Sequence, residues 1–402
     1  MMKCLVLFLG LVLLGSFAVL ADGTDWPQYR GPNRDGVSSE TGLLDEWPEG
    51  GPKELWRTSL GHGFSGISMS GGRIYTMLSE GSDEFVVCLD GATGQEIWRT
   101  RCGPIFKNRF GDGPRSTPTV DGELVFALGA HGELHAMSAA DGKSVWSRDF
   151  PGEFGARTPQ WGYSGAPLVE GKLLLMDVGG KRGSSIVAFD KKTGEEVWRS
   201  QNDKAGYSAP IAMTVSGRRQ VVFFTATALV SVSPEDGTLL WKHPWKTSYD
   251  VNAATPIFIP PDKVFVSSGY DVGAAVYQVK ESEAQQVWQN REMKNKFSSS
   301  VLHEGHLYGF DEKTFKCIVA ATGETRWESR GLGHGSLIVA DGHLIVLGDE
   351  GTLALVEANP AAYREKGRVQ IFKGKTWTAP TLSGGKLYLR DEKQLVSLDI
   401  SG

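Results

Sequence analysis

Val87-Cys88-Leu89-Asp90-Gly91-Ala92-Thr93-Gly94-Gln95-Glu96-Ile97-Trp98 reads as a short β run, a glycine-containing turn and a second run that carries a Trp at a fixed offset. The phrase returns as Ala139-Ala140-Asp141-Gly142-Lys143-Ser144-Val145-Trp146 and as Asp190-Lys191-Lys192-Thr193-Gly194-Glu195-Glu196-Val197-Trp198, and further copies end at Trp241, Trp288 and Trp327. Counted from Trp56, successive Trp residues lie 39 to 52 residues apart, the span of one four-stranded propeller blade. Each unit opens with a small residue before Pro, as in Thr117-Pro118, Ala166-Pro167, Ala209-Pro210 and Thr255-Pro256. A polar-Gly hairpin turn such as Asp121-Gly122 or Glu170-Gly171 then leads into the second run. A third run precedes the Trp strand, giving four strands per unit.

Openings near Gly66, Thr117, Gly165, Ala209, Thr255, Ser299, Ser336 and Ala379 predict an all-β, eight-bladed propeller. Seven blades is the alternative, because the unit ending near Phe372 has lost its Trp and carries an irregular Asn359-Pro360 insertion. The last unit stops at Ile400 without a Trp run, while Glu54-Leu55-Trp56-Arg57 precedes the first unit. Leu55 to Thr58 is therefore expected as the outer strand of the final blade, closing the ring and leaving no long unpaired edge. Trp56, Trp98, Trp146, Trp198, Trp241, Trp288 and Trp327 are read as packing residues between neighbouring sheets, each indole N–H bonded to a backbone carbonyl. Asp90, Asp141 and Asp190 are read as turn formers.

Outside the repeat, Lys3 and the apolar run Leu5 to Leu14 have the order of a secretory signal. This predicts cleavage after Ala21, a signal peptide over 1–21, an arm over 22–52 anchored by Trp26 and Trp47, and a propeller over 53–402. The mature chain is expected to be exported to the periplasm or beyond, to be monomeric and to keep no membrane span. Cys88, Cys102 and Cys317 remain, an odd number without metal-type spacing, and Cys88 and Cys317 are read as small buried hydrophobes. A net charge of −5 without a long basic run excludes a nucleic-acid groove. The 51 glycines, with no Gly-x-y period, fit many tight turns.

The pattern of Leu/Phe-Asp, two residues, Thr-Gly, three residues and Trp resembles the tryptophan-docking repeat of the pyrroloquinoline-quinone-type (PQQ-like) propellers. Asp25-Trp26-Pro27-Gln28-Tyr29-Arg30-Gly31-Pro32-Asn33-Arg34-Asp35-Gly36 is similar to the N-terminal segment of the exported propellers of planctomycete-type bacteria. One branch of this superfamily, the quinoprotein alcohol dehydrogenases, implies PQQ, Ca²⁺ or a lanthanide, a catalytic Asp and in many members an adjacent Cys pair, which this sequence lacks. Another, the outer-membrane assembly (BamB-like) scaffold, implies a cofactor-free eight-bladed body and envelope protein partners, although its lipidated Cys is missing here. The resemblance thus implies a non-catalytic scaffold with no cofactor; the alternatives are a quinoprotein oxidoreductase with PQQ and Ca²⁺, or a propeller binding carbohydrate or another small ligand.

In a propeller the loops entering the innermost strands converge on one channel mouth. The residues just before each opening Pro supply the candidates for a ligand mouth: Arg109, Asp112, Arg115, Arg157, Trp161, Tyr163, Asp250, Asn252, Lys296, His334 and Trp377. The cations suit an anion and the aromatics offer flat faces. Asp112 or Asp250 is placed as a base, with Asn252 beside a metal.

Overall fold

The computed structural model describes residues 24–402, so the signal-peptide reading lies outside the described residues. Eight four-stranded antiparallel sheets form the ring. Blade 1 is built from Ser68–Ser70, Arg73–Glu80, Asp83–Asp90 and Glu96–Pro104. Blades 2 to 7 follow over 119–149, 168–200, 211–244, 257–290, 301–329 and 336–370. Blade 8 takes Thr381–Ser383, Lys386–Arg390 and Gln394–Asp399 from the C-terminus and Lys53–Ser59 from the N-terminus. Lys53 opposes Asp399 and Ser59 opposes Gln394, so the two ends close one sheet as the orphan Trp run predicts. Eight blades, not seven, are present.

The middle strands are buried almost continuously, as in Arg73–Glu80 and Thr352–Glu357, because both faces of each sheet pack on neighbouring sheets. Outer strands alternate, exposing Ile97, Val145 and Val197 beside the inward Trp residues. Cys88, Cys102 and Cys317 are free and buried, and burial pushes the Cys88 and Cys317 thiols up to about 11. At the turns, Asp90 accepts the Thr93 hydroxyl and the backbone N–H groups of Ala92 and Thr93, and Asp190 accepts those of Lys192 and Thr193, which holds both carboxyls below the usual range.

The Trp residues lock each blade to the next. Trp56, Trp98, Trp146, Trp198, Trp288 and Trp327 donate to the carbonyls of Gly91, Ala139, Lys191, Pro234, Ala320 and Asn359, all in the following blade, at 2.8 to 3.1 Å. The turn glycine is required by this contact: a Cβ on Gly94 would lie 2.6 Å from the Trp56 ring, and its φ is +70°. Trp241 departs from the expected backbone acceptor. The facing turn, Lys280-Glu281-Ser282-Glu283, lacks the glycine. Trp241 instead donates to Gln220 Oε1 at 2.9 Å, and Gln220 Nε2 passes the link to the Lys280 carbonyl at 2.9 Å.

Blade 7 replaces its missing Trp by another route. In the other blades the Trp sits opposite the residue just before a bulge, as Trp98 opposes Cys88; in blade 7 that position is Gly367, opposite Leu355. A Cβ on Gly367 would lie 2.5 Å from Cβ of Trp47, a buried residue of the arm whose N–H bonds to the Lys366 carbonyl at 3.0 Å. The arm thus inserts an indole where the strand has none.

Residues 24–52 run across the face that carries the first hairpin turns. Trp26 bridges to Met69 in blade 1, Val37 pairs with Val339 in blade 7, and the Glu40 carboxylate accepts from Gly384 and Gly385 in blade 8. Over the axis, Arg34 donates to the carbonyls of Ala166, Pro167 and Pro210, and Arg30 to those of Asp35 and Ser300. Both guanidiniums are buried; burial lowers Arg34 to about 9. Charged donors on backbone carbonyls are strong bonds, and they fasten the arm over this end of the channel.

Candidate functional site

In each blade the strands run so that the first and third turns lie on the arm face. The second turn and the crossover into the next blade lie on the opposite face. Loops of these two kinds from all eight blades therefore surround one open mouth. Beneath it lies a cavity of about 430 Å³, within the size range of small-ligand pockets. Its inner end meets Tyr29 of the arm, whereas Gln28 and residues 32–35 face a separate groove on the other side. The arm makes the channel blind.

Two aromatic arcs form the mouth. On one side Trp377 packs on Phe64 (ring centroids 5.2 Å apart) and on Phe297 (5.0 Å), and Phe297 on His334 (5.6 Å). On the other, Trp161 contacts Phe110, Tyr207 and Tyr249, and Tyr249 reaches Tyr270. Burial pushes the Tyr207 phenol up to about 12, so it stays neutral at physiological pH. Tyr249, Asp250, Tyr270 and Asp271 all hold left-handed φ values between 57° and 63°. Strain of this kind persists where the surroundings over-determine it and clusters at functional sites. Tyr249 is 66% exposed and Phe110 40%.

Cations are threaded between these rings. The Arg115 guanidinium lies 4.7 Å from the Phe106 centroid and 5.8 Å from that of Phe64, and donates to the carbonyls of Gly111 and Gly113. Burial lowers it to about 10, leaving it charged at neutral pH. Lys375 lies over Trp377 at 4.5 Å. Lys296 stands 3.5 Å from Glu312, and His334 lies between Glu312 at 3.5 Å and Asp349 at 3.2 Å. Two of the cavity's basic groups are thus matched by carboxylates, while Arg115 has no ion pair among the described residues.

Of the eleven residues expected at a ligand mouth, Arg115, Trp161, Lys296, His334 and Trp377 line the cavity. Arg109 lies on the exposed rim over Phe110, and Asp112 accepts the Asn108 N–H at 2.8 Å beside it. Asp250 pairs with Lys204 at 2.9 Å on the rim, and Arg157 is exposed without lining the cavity. Two expectations are corrected by packing. Tyr163 is buried in the blade body, donating to the Val178 carbonyl at 2.8 Å. Asn252, placed beside a metal, is fully buried, and its amide donates to the Thr225 and Trp245 carbonyls, leaving nothing to offer a ligand. Tyr29, Phe110 and Tyr270 were not singled out. Tyr270 follows the second strand of its blade rather than preceding an opening Pro, and applying the strand direction to both loop types would have found it.

A Ca²⁺ and PQQ pair requires oxygen donors, mostly carboxylate or amide, beside the quinone. The cavity wall carries aromatic rings, hydroxyls and cations, and none of its residues is Asp, Glu, Asn or Gln. Among the described residues no cluster of His, Cys, Asp and Glu could hold a metal ion. The donor set therefore does not fit that pair, and neither Asp112 nor Asp250 lines the cavity.

A family model described as outer membrane protein assembly factor BamB matches residues 48–125 and 82–329. The chain belongs to this family. The outer membrane protein assembly factor BamB of Burkholderia pseudomallei (strain K96243) is 26% identical over 200 residues, 48% of this chain and 46% of that protein, so the match spans about half of the relative's length. Among solved structures, BamB from Moraxella catarrhalis superposes with a TM-score of 0.61 at 14% identity, covering 86% of this chain and 97% of that one. The quinohemoprotein alcohol dehydrogenase from Comamonas testosteroni superposes with a TM-score of 0.64 at 11% identity, covering 94% and 81%. At such identities the two structures share the fold with this BamB-family chain, and nothing more follows from them.

Proposed function

We propose that this BamB-family propeller is exported and non-catalytic, and acts as a protein-interaction scaffold at the cell envelope with the open face as its docking surface. The observation that carries this reading is the distribution of exposed large apolar side chains. The exposed aliphatics, such as Ile97, Val145, Val197 and Val287, are spread singly around the outer strands. The exposed aromatics Phe110 and Tyr249 both stand on the open face, beside Trp161, Tyr207, Tyr270 and several cations. Aromatic residues with basic neighbours are the composition of protein-interface hot spots. Family membership and the apolar N-terminal run support export. Among the described residues no helix is long and apolar enough to cross a membrane.

Photo-cross-linkers placed at position 249, at 197 on the outer rim and at 341 on the arm face test the reading in the intact envelope. A discrete protein adduct from position 249, lost when Trp161 is replaced by Ala, is expected, with none from 197. Equal labelling from all three positions would refute a docking face. Saturable, Ca²⁺-dependent PQQ binding with dye-linked dehydrogenase activity would replace the scaffold with an oxidoreductase.

A further inference from the structure

The cavity beneath the aromatic collar has a charge pattern that protein docking does not explain. Its wall is apolar at the rim, from Phe64, Phe297 and Trp377 on one side and Trp161 and Tyr270 on the other. The small residues Gly66, Ala209, Ala253 and Ala379 and Tyr29 of the arm complete the lining. A cation held inside an apolar wall is costly unless an anion accompanies it. Lys296 has its anion in Glu312, and the His334 ring lies between Glu312 and Asp349. Arg115 hydrogen-bonds only the two loop carbonyls of Gly111 and Gly113, which satisfy part of its five-donor fork, and Glu84 and Asp112 act on its charge only from beyond ion-pair distance. Beyond the floor, the buried guanidiniums of Arg30 and Arg34 also rest on carbonyls and add positive potential from below.

From this arrangement we infer that the blind channel is a binding site for a small monoanionic carboxylate with a flat apolar body, its carboxylate paired to Arg115 and its body held between the aromatic arcs. Arg115, the one basic group of the wall without a carboxylate at ion-pair distance among the described residues, sets the charge at one. A second carboxylate would meet Lys296 and His334 only where Glu312 and Asp349 already stand, so a dianion gains nothing over a monoanion. The absence of carboxylates and amides from the wall disfavours a sugar, whose hydroxyls need acceptors. Hydroxyls of Ser336 and Thr378 remain to receive one polar substituent. The volume of about 430 Å³ suits a molecule of one or two fused rings. This inference stands apart from the scaffold reading, since it concerns the purified chain alone.

The experiment is a titration of the purified mature chain with 2-naphthoate, followed by Trp fluorescence and by calorimetry. Three comparisons accompany it: 2-naphthamide, naphthalene-2,6-dicarboxylate, and the variants Arg115→Gln and Ala379→Phe. Saturable one-to-one binding of 2-naphthoate is expected. The amide should bind at least tenfold more weakly, as should naphthoate to Arg115→Gln. Ala379→Phe, which fills the cavity without touching Arg115, should abolish binding at unchanged Tm, and the dicarboxylate should bind no tighter than the monoanion. Absence of saturable binding, or equal affinity for acid and amide, overturns the site. A tighter dicarboxylate overturns the single-charge assignment. Should Arg115→Gln unfold, the amide comparison and Ala379→Phe still decide.

Discussion

The two ends of the channel use the same kinds of side chain in opposite ways. At the arm end, Arg30 and Arg34 are buried, and their hydrogen bonds go to carbonyls of the chain itself. At the open end, Arg115, Trp161, Tyr207 and Tyr270 line a cavity, and Phe110 and Tyr249 stand in solvent. The closed end uses polar and aromatic groups to complete the ring; the open end leaves them facing outward, held partly by strained backbone. Closure of the ring and an open aromatic surface thus coexist, because the two fall on opposite faces.

If this division is right, substitutions in the arm should break the fold and those at the mouth should spare it. Trp47→Ala should have the largest effect, about 3–5 kcal/mol lost in a denaturant midpoint series, since it empties the place over Gly367. A Gly367→Trp change should not restore it, because the φ of +151° at that position suits glycine. Next, Arg34→Met should cost about 3 kcal/mol by leaving the carbonyls of Ala166, Pro167 and Pro210 without their charged donor. A cost below 1 kcal/mol would mean the arm does not fasten the ring.

A third test concerns Asp177, below the open face. Burial raises its carboxyl to about 8, opposed by one N–H from Gly206 and reinforced by Asp203, while its Oδ1 has no partner. In the unfolded chain the group ionises near 3.8. Its contribution to stability is therefore fully present below about pH 4 and is lost as the pH rises towards 8. Asp177→Asn should keep the shape without the charge, flatten the pH profile of Tm across that window and gain on the order of 2 kcal/mol at pH 8. A variant that follows the parent curve would place the proton elsewhere.

The smallest effect is expected at Tyr249. Replacing it by Gly should relieve a left-handed residue and raise stability by about 0.5 kcal/mol. Loss of stability there would erase the contrast between the two ends.

Much of the fold was legible because its signals are local. A Thr-Gly turn followed by Trp states its own geometry, and Trp56 at one terminus with a Trp-less last unit at the other implies closure by pairing. The mouth was legible only in part. Trp161 and Tyr163 stand two residues apart before the same opening Pro, yet one faces the cavity and the other bonds to Val178 inside the blade. No spacing rule separates them, since the intervening Gly162 turns the chain with a φ of +77°.

The sequence by itself determined the repeat, the ring closure and the face on which loops would gather, because each follows from strand alternation and turn chemistry between near neighbours, whereas eight blades rather than seven was settled by the sheets themselves. Tertiary structure alone decided that Trp47 stands in for the missing Trp of blade 7, that Tyr29 forms the floor of the cavity, and that Arg115 has no carboxylate at ion-pair distance where Lys296 has Glu312. Those facts depend on contacts between residues far apart in the chain, made only when eight blades close and the arm crosses them, and no local pattern encodes them.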